Sequence, residues 1–353
     1  MTALKQPADG PPEGNAQRRG ATARPVAPAA RGSTIEQKLV AELPAELVWS
    51  GAGQRTASGY KGPLIVLIPG FPGIAQIYAD FVSTLAAGAG CAAVCLAWCG
   101  HNVLSPELRP SALRRPLTLE EQSAFVTAAV RELCSLPWVT QVVLIGQSIG
   151  SWLAVRALAA LDDEGIGAKI VSVHLVCPIL EDMAALPRAQ LLRRPLYVMN
   201  ALHLGTAARI LASVMPTSLG ATVLQGIWWL RGKTTMDEEG RQFWMVILEH
   251  IRHGVVDRAL SLATQALQAI QSPLGWLQSL QNRAGGVVLH FSIGDGWTPA
   301  STRARWGRDD RLPRARQVLH QMPHGVVTKK AEARALAAVV SSDVVSVLQR
   351  ASQ

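Results

Sequence analysis

No stretch of this chain reaches the roughly 18 uninterrupted apolar residues that a membrane-spanning helix needs, so no spanning anchor is expected. No unit recurs at a period of about 20 to 50 residues, which argues against a solenoid or propeller array. Cysteine is scarce, with five in 353 residues: Cys91, Cys95, Cys99, Cys134 and Cys177. An odd count, no secretory signal pattern and no regular disulfide spacing predict a reducing compartment. Cys91, Cys95 and Cys99 share a parity and are expected on one face of a strand. No C-x-x-C pair or histidine cluster accompanies them, so they read as small buried hydrophobes rather than metal ligands.

Acidic residues are thin. Asp and Glu number 25 against 34 Lys and Arg, giving a net charge of +9 and a pI near 9.8. Such a balance favours anionic surfaces without specifying one, and no nucleic-acid motif accompanies it. Residues 1–34 carry only two acids, Asp9 and Glu13, among Pro, Gly, Ala and Arg. They offer no core-forming pattern and read as a disordered, solvated arm. The stretch from Gly14 to Thr34 also resembles, weakly, an organelle transit peptide.

What is present points to a large α/β domain, 35–353. Hydrophobic residues make up 49% of the chain, enough for one such domain with an insertion. Short apolar runs predict buried strands at Pro63–Ile68, Cys91–Trp98, Gln141–Ile145, Ile170–Cys177, Gly286–Ile293 and Arg316–Met322. Helical patterns lie between them, including one opened by the capping box Thr118-Leu119-Glu120-Glu121, and a last one covers Lys329 to Leu348. Alternating strand and helix predict a mostly parallel sheet flanked by helices. The alternation fails once. From Pro178 to Gly285 there is no good strand, and the span is too long for a loop in a compact domain. It predicts a helical cap at about 180–285, with its clearer helices at Asp237–His250 and Val255–Leu277.

The most informative motif is Gly146-Gln147-Ser148-Ile149-Gly150, directly after the run Gln141–Ile145 and before the helical segment Ser151–Leu161. G-x-S-x-G between strand and helix sets a serine on a sharp turn at the carboxyl edge of the sheet, as in the α/β-hydrolase fold. Its bland alternative is a structural turn serine. A nucleophilic serine needs a histidine to take its proton and a carboxylate to orient that histidine, in the chain order Ser, Asp or Glu, His. His290 and His320 fall inside strand patterns. His324, in Met322-Pro323-His324-Gly325 just past the last strand, is the expected base. Asp295, in the turn after the penultimate strand, is the expected acid. Asp182 is the runner-up, and Asp309 and Asp310 read as solvated loop charges. For the developing oxyanion, the expected donors are the N–H groups of Ile149 and of Phe71 in Pro69-Gly70-Phe71-Pro72-Gly73. No metal or organic cofactor is called for.

With Cys99-Gly100-His101-Asn102, Trp152 and Pro178–Met183, these motifs resemble the lipid droplet-associated hydrolases over about residues 60 to 330. The resemblance implies an α/β-hydrolase-fold serine hydrolase of lipid droplets and endoplasmic reticulum. It also implies the triad Ser148, Asp295 and His324, and neutral lipid esters such as sterol esters as substrates. One departure is Gln147, where the family usually has His. His101, near the pocket side, reads as a structural loop histidine rather than as a contact to substrate.

Pro195 to Leu230 contains one charge, Arg209, with Trp228-Trp229 near its end and Arg193-Arg194 and Arg231 beside it. Pro216 predicts two helices in a hairpin. This composition suits either a segment lying in a membrane interface or a cap packed on the site's mouth. Arg303, Arg305, Arg308, Arg311, Arg314 and Arg316 read as added attraction for anionic lipid, or as a solvated loop. The expectation is therefore an esterase that meets a lipid droplet or endoplasmic reticulum surface through its cap. The alternatives are a non-catalytic droplet protein and a soluble esterase or thioesterase.

Overall fold

The computed structural model describes residues 32–51, 61–105, 115–216, 238–271, 285–308 and 315–351, with isolated positions between. The expected arm up to residue 31, Asp309, Asp310, Arg311, Arg314, Trp228, Trp229 and Arg231 lie outside them.

The strand β3 (Gly62–Ile68) shows why the apolar runs are strands. Leu64, Val66 and Ile68 enter one core cluster, and Ile65 and Leu67 enter a second on the opposite face. A run buried on both faces needs no polar alternation. Its neighbours are β4 (Ala92–Leu96) and β5 (Val139–Gln147). The sheet continues with β6 (Ile170–Val176), β7 (Val287–Ser292) and β8 (Arg316–His320). The strand order is β1-β2-β4-β3-β5-β6-β7-β8. All pairs from β4 to β8 are parallel.

The first two strands have no counterpart in the sequence reading. β1 (Ser33–Val40) and β2 (Leu43–Ser50) form an antiparallel hairpin, and β2 joins β4 antiparallel. β1 starts within the residues assigned to the arm. The hairpin turn is Ala41-Glu42, both left-handed (φ 47° and 64°). Asn-Gly or Asp-Gly usually marks such a turn, and their absence hid it.

Helices α1 (Ala79–Ala89) and α9 (Lys330–Ala351) cover one face. Helices α2 (Leu119–Cys134) and α3 (Ile149–Asp163) cover the other. The capping box forms: Glu121 N–H donates to Thr118 Oγ1 at 3.2 Å, and Thr118 N–H to Glu121 Oε2 at 2.7 Å. All five cysteines are buried and free. Cys91 and Cys95 share a cluster, whereas Cys99, past the end of β4, packs into the other, so the three do not line one face.

Between β6 and β7 lie α4 (Pro187–Ala201), α5 (Leu204–Val214), α6 (Glu238–Arg252) and α7 (Val255–Ala269). Helix α5 ends at Val214, just before Pro216, where a break was expected; a further break lies earlier, where α4 ends at Ala201 and His203 turns the chain with φ 50°. Arg258 donates to Gly100 O at 2.6 Å, and Leu119 N–H to Gln265 Oε1 at 3.0 Å. These bonds seat α7 beside the loop at the carboxyl end of β4 and the start of α2. Helix α8 (Ala300–Arg308) follows β7.

Candidate active site

Ser148 joins β5 to α3 with φ 54° and ψ −123° and is 6% exposed. A non-glycine residue there is strained by about 1–3 kcal/mol, so its surroundings must hold it. Ser148 N–H donates to Val176 O at 2.9 Å, and Ile179 N–H to Ser148 O at 3.2 Å. A Cβ on Gly146 would lie 2.5 Å from Ser151 Cα, and one on Gly150 2.4 Å from the carbonyls of Ile68 and Pro69. The two glycines therefore let the turn press against β3 and α3. Ser148 precedes the helix, but its side chain makes no capping bond.

The hydroxyl instead lies 2.7 Å from His324 Nε2. His324 Nδ1 lies 2.6 Å from Asp295 Oδ2. An ionised carboxylate only accepts, so Nδ1 carries the proton and Nε2 accepts from the serine. The Asp295 side chain is 1% exposed and that of His324 17%. Burial disfavours the Asp295 charge. The hydrogen bond and charge of His324, the Thr298 hydroxyl (2.6 Å) and the Trp297 N–H (2.8 Å) outweigh it and hold the carboxyl below its usual range. Arg303 braces this turn by donating to Thr298 O at 3.0 Å. A hydroxyl so placed can pass its proton to Nε2 while it attacks an electrophilic carbon.

Gln147 ties three loops together. Its Oε1 accepts from Tyr78 OH at 2.8 Å, Tyr78 OH accepts from Gly70 N–H at 3.1 Å, and its Nε2 donates to His324 O at 2.9 Å. Sequence reasoning noted Gln147 as a departure from the family but gave it no task, and it missed Tyr78. Neither partner is near it in sequence. Phe71 sits in the turn closed by Gly73 N–H on Gly70 O at 2.8 Å, with a cis bond to Pro72. Ile149 opens α3, where an amide has no intrahelical acceptor. His101 holds the same turn, with Nδ1 2.6 Å from Pro72 O, and burial lowers it to about 4, so it stays neutral.

The other candidates lie elsewhere. Asp182 is half exposed and faces Arg305 at 3.8 Å. His290 and His320 join His174 in a row across β6, β7 and β8, with nitrogens 3.2 and 3.1 Å apart. Neighbouring rings are inclined by only 17° and 29°, with centroids 5.5 and 5.3 Å apart. Cys177 lies close to Asp295 and His324. Burial, then the Asp295 charge, push its thiol up, so it stays protonated. Of the arginines assigned to lipid attraction, Arg303 turns inward to Thr298, Arg305 pairs with Glu181, and Arg316 with Asp343.

Fold and site together define a hydrolase of the α/β-hydrolase fold. A family model described as lipid-droplet associated hydrolase matches residues 61–327, well over half the chain, and the protein belongs to that family. No curated protein sequence matches the chain. Among solved structures, it is similar to a bromoperoxidase from Bacillus anthracis (TM-score 0.56, 12% identity, 88% of this chain and 99% of that one). It is also similar to a thioesterase domain from the curacin biosynthetic pathway (TM-score 0.54, 15% identity, 87% and 99%). A haloalkane dehalogenase variant from Bradyrhizobium elkanii is comparable (TM-score 0.53, 12% identity, 91% and 98%). At such identities these likenesses speak for the fold alone.

Proposed function

We propose that this hydrolase cleaves carboxylic esters of neutral lipids, sterol esters among them, at a lipid-droplet surface. Ser148 attacks the ester carbonyl while His324 Nε2 takes its proton. Asp295 keeps Nδ1 protonated and offsets the charge His324 gains. The N–H groups of Phe71 and Ile149 receive the oxyanion. His324 then protonates the departing alcohol, and water, activated by the same histidine, releases the acid from the acyl-enzyme. The observation that carries this reading is the unbroken pair of hydrogen bonds from Asp295 through His324 to Ser148, at 2.6 and 2.7 Å.

The lipid surface is supported by helices α4 and α5. Leu191, Leu202, Leu211 and Val214 are 60 to 76% exposed there, and Val198 and Ile210 also face solvent. Monomeric soluble proteins rarely show so much apolar surface in one place. Arg193 and Arg194 are exposed on α4 beside it, as suits a helix lying among lipid headgroups. The family description is consistent with a droplet as that surface.

A fluorescent fluorophosphonate tests the nucleophile. Wild-type protein is expected to label and Ser148→Ala is not. Absence of labelling in folded wild type, with droplets present, overturns the enzymatic reading and leaves a droplet protein without catalysis. Flotation with artificial droplets tests the surface. A labelled protein that stays in solution is a soluble esterase instead.

A further inference from the structure

A cavity of about 250 Å³ lies between the turn at Phe71 and the cap helices α6 and α7. Its walls include Phe71 and Ile74 from the turn, Ile247 and Ile251 from α6, and Ala259 and Leu260 from α7. His250 is the one lining residue that carries a polar group. Its Nδ1 donates to Val246 O at 2.7 Å, and burial lowers its pKa to about 4, so it brings no charge.

We infer that this cavity binds the acyl chain of the ester and selects straight, apolar chains of medium length. The inference rests on the proposed ester hydrolysis and deepens it. Phe71 serves both sites: its N–H is the proposed oxyanion donor, and its side chain forms cavity wall. No lining residue comes from the His324 loop or the Asp295 turn. The leaving alcohol must lie beside His324 Nε2 to be protonated, so it belongs on that other side and the acyl chain takes the cavity. A wall without charge, whose only polar side chain is His250 with its Nε2 buried and unpartnered, favours hydrocarbon along its length, because a carboxylate or an unmatched hydroxyl there is desolvated without compensation. A methylene occupies roughly the 30 Å³ of one liquid water, so the cavity holds about eight.

The test separates chain binding from catalysis. Ser148→Ala is titrated calorimetrically with p-nitrophenyl esters from acetate to dodecanoate, which it does not turn over. Affinity is expected to rise up to about fourfold per methylene, the ratio that burying about 0.8 kcal/mol of CH₂ predicts, and to level near eight carbons. In the same background, Ala259→Leu adds three carbons to the wall and moves the break about three methylenes shorter. Ile251→Ala removes three and moves it longer. Opposite shifts from the two variants exclude a general loss of folding, which circular dichroism also checks. Affinity that does not depend on chain length, or a break unmoved by both variants, overturns the inference. Turnover of the same esters by wild-type protein tests the hydrolytic reading independently, so chain binding without turnover overturns that reading and leaves the cavity assignment standing.

Discussion

The side-chain amide of Gln147 donates to the backbone carbonyl of His324 at 2.9 Å, while its carbonyl end accepts from Tyr78 OH. The residue preceding the candidate nucleophile thus holds the loop of the candidate base, and through Tyr78 and Gly70 it reaches the oxyanion turn. Gln147→Leu keeps the volume and deletes both bonds. The expected result is a kcat lowered by about 10- to 100-fold with KM little changed, because a shift of about 1 Å in a catalytic group costs that much. Steady-state kinetics on a soluble ester check it. An unchanged kcat removes Gln147 from the positioning network.

Asp295→Asn leaves a similar shape but removes the acceptor that fixes the His324 tautomer. The loss expected in kcat is about 10⁴-fold. Unfolding by circular dichroism accompanies the assay, because Asp295 also accepts from Trp297 and Thr298. A loss under tenfold argues for another carboxylate.

Gly150 tests the pressure of the serine turn on β3. A Cβ there meets two carbonyl oxygens at 2.4 Å, and backbone cannot step aside as a side chain does. Gly150→Ala is expected to lower stability by about 1–3 kcal/mol, as overpacking does, and to reduce fluorophosphonate labelling. Thermal unfolding reads the first effect.

Glu46 gives a pH dependence. It is fully buried on β2, burial raises its pKa to about 7, and hydrogen bonds from Gln37 and Gln76 only partly counter this. The unfolded chain ionises near pH 4.5, so the folded state holds the extra proton between about 4.5 and 7. The stability that Glu46 supplies is full below that window and is lost as the pH rises through it. The change is on the order of 3 kcal/mol for a shift of that size. Glu46→Gln is expected to flatten the profile and to unfold at a higher temperature than wild type at pH 8. Denaturant unfolding between pH 5 and 8 is the measurement. Parallel profiles for the two proteins defeat the assignment.

The apolar face of α4 and α5 is tested by Leu202→Asp with Leu211→Asp, both at exposed positions. A charge resists transfer into lipid, so flotation with artificial droplets is expected to fall by at least tenfold. Turnover of a water-soluble ester monitors the fold. Flotation equal to wild type moves the contact elsewhere.

The parallel core was legible because its strands are buried on both faces and read as unbroken apolar runs. The hairpin of β1 and β2 was not. Ala41 and Glu42 take left-handed conformations that neither residue advertises, and the strands are held by pairing with β4, a contact distant in sequence. Residues 195–216 show the same limit. A helix does end at Val214, just before Pro216, but the chain also turns at His203, where contacts with α7 decide the angle and the turning residue is neither proline nor glycine. Thr206 Oγ1 donates to Asp257 Oδ1 at 3.1 Å, and a Cβ on Gly205 would lie 2.4 Å from that oxygen.

By itself the sequence determined which side chains are available for chemistry. A serine between two glycines after a buried strand, a histidine past the last strand and an aspartate in the turn before it are local features with fixed order. Residue type and periodicity are enough to state them. The tertiary structure alone decided what Gln147, Tyr78 and His101 do, and that a mostly apolar cavity opens between the turn at Phe71 and α6–α7. A hydrogen bond across 69 or 177 residues depends on where strands and loops are brought together by packing. A cavity is the space that such packing leaves, and no single residue encodes it.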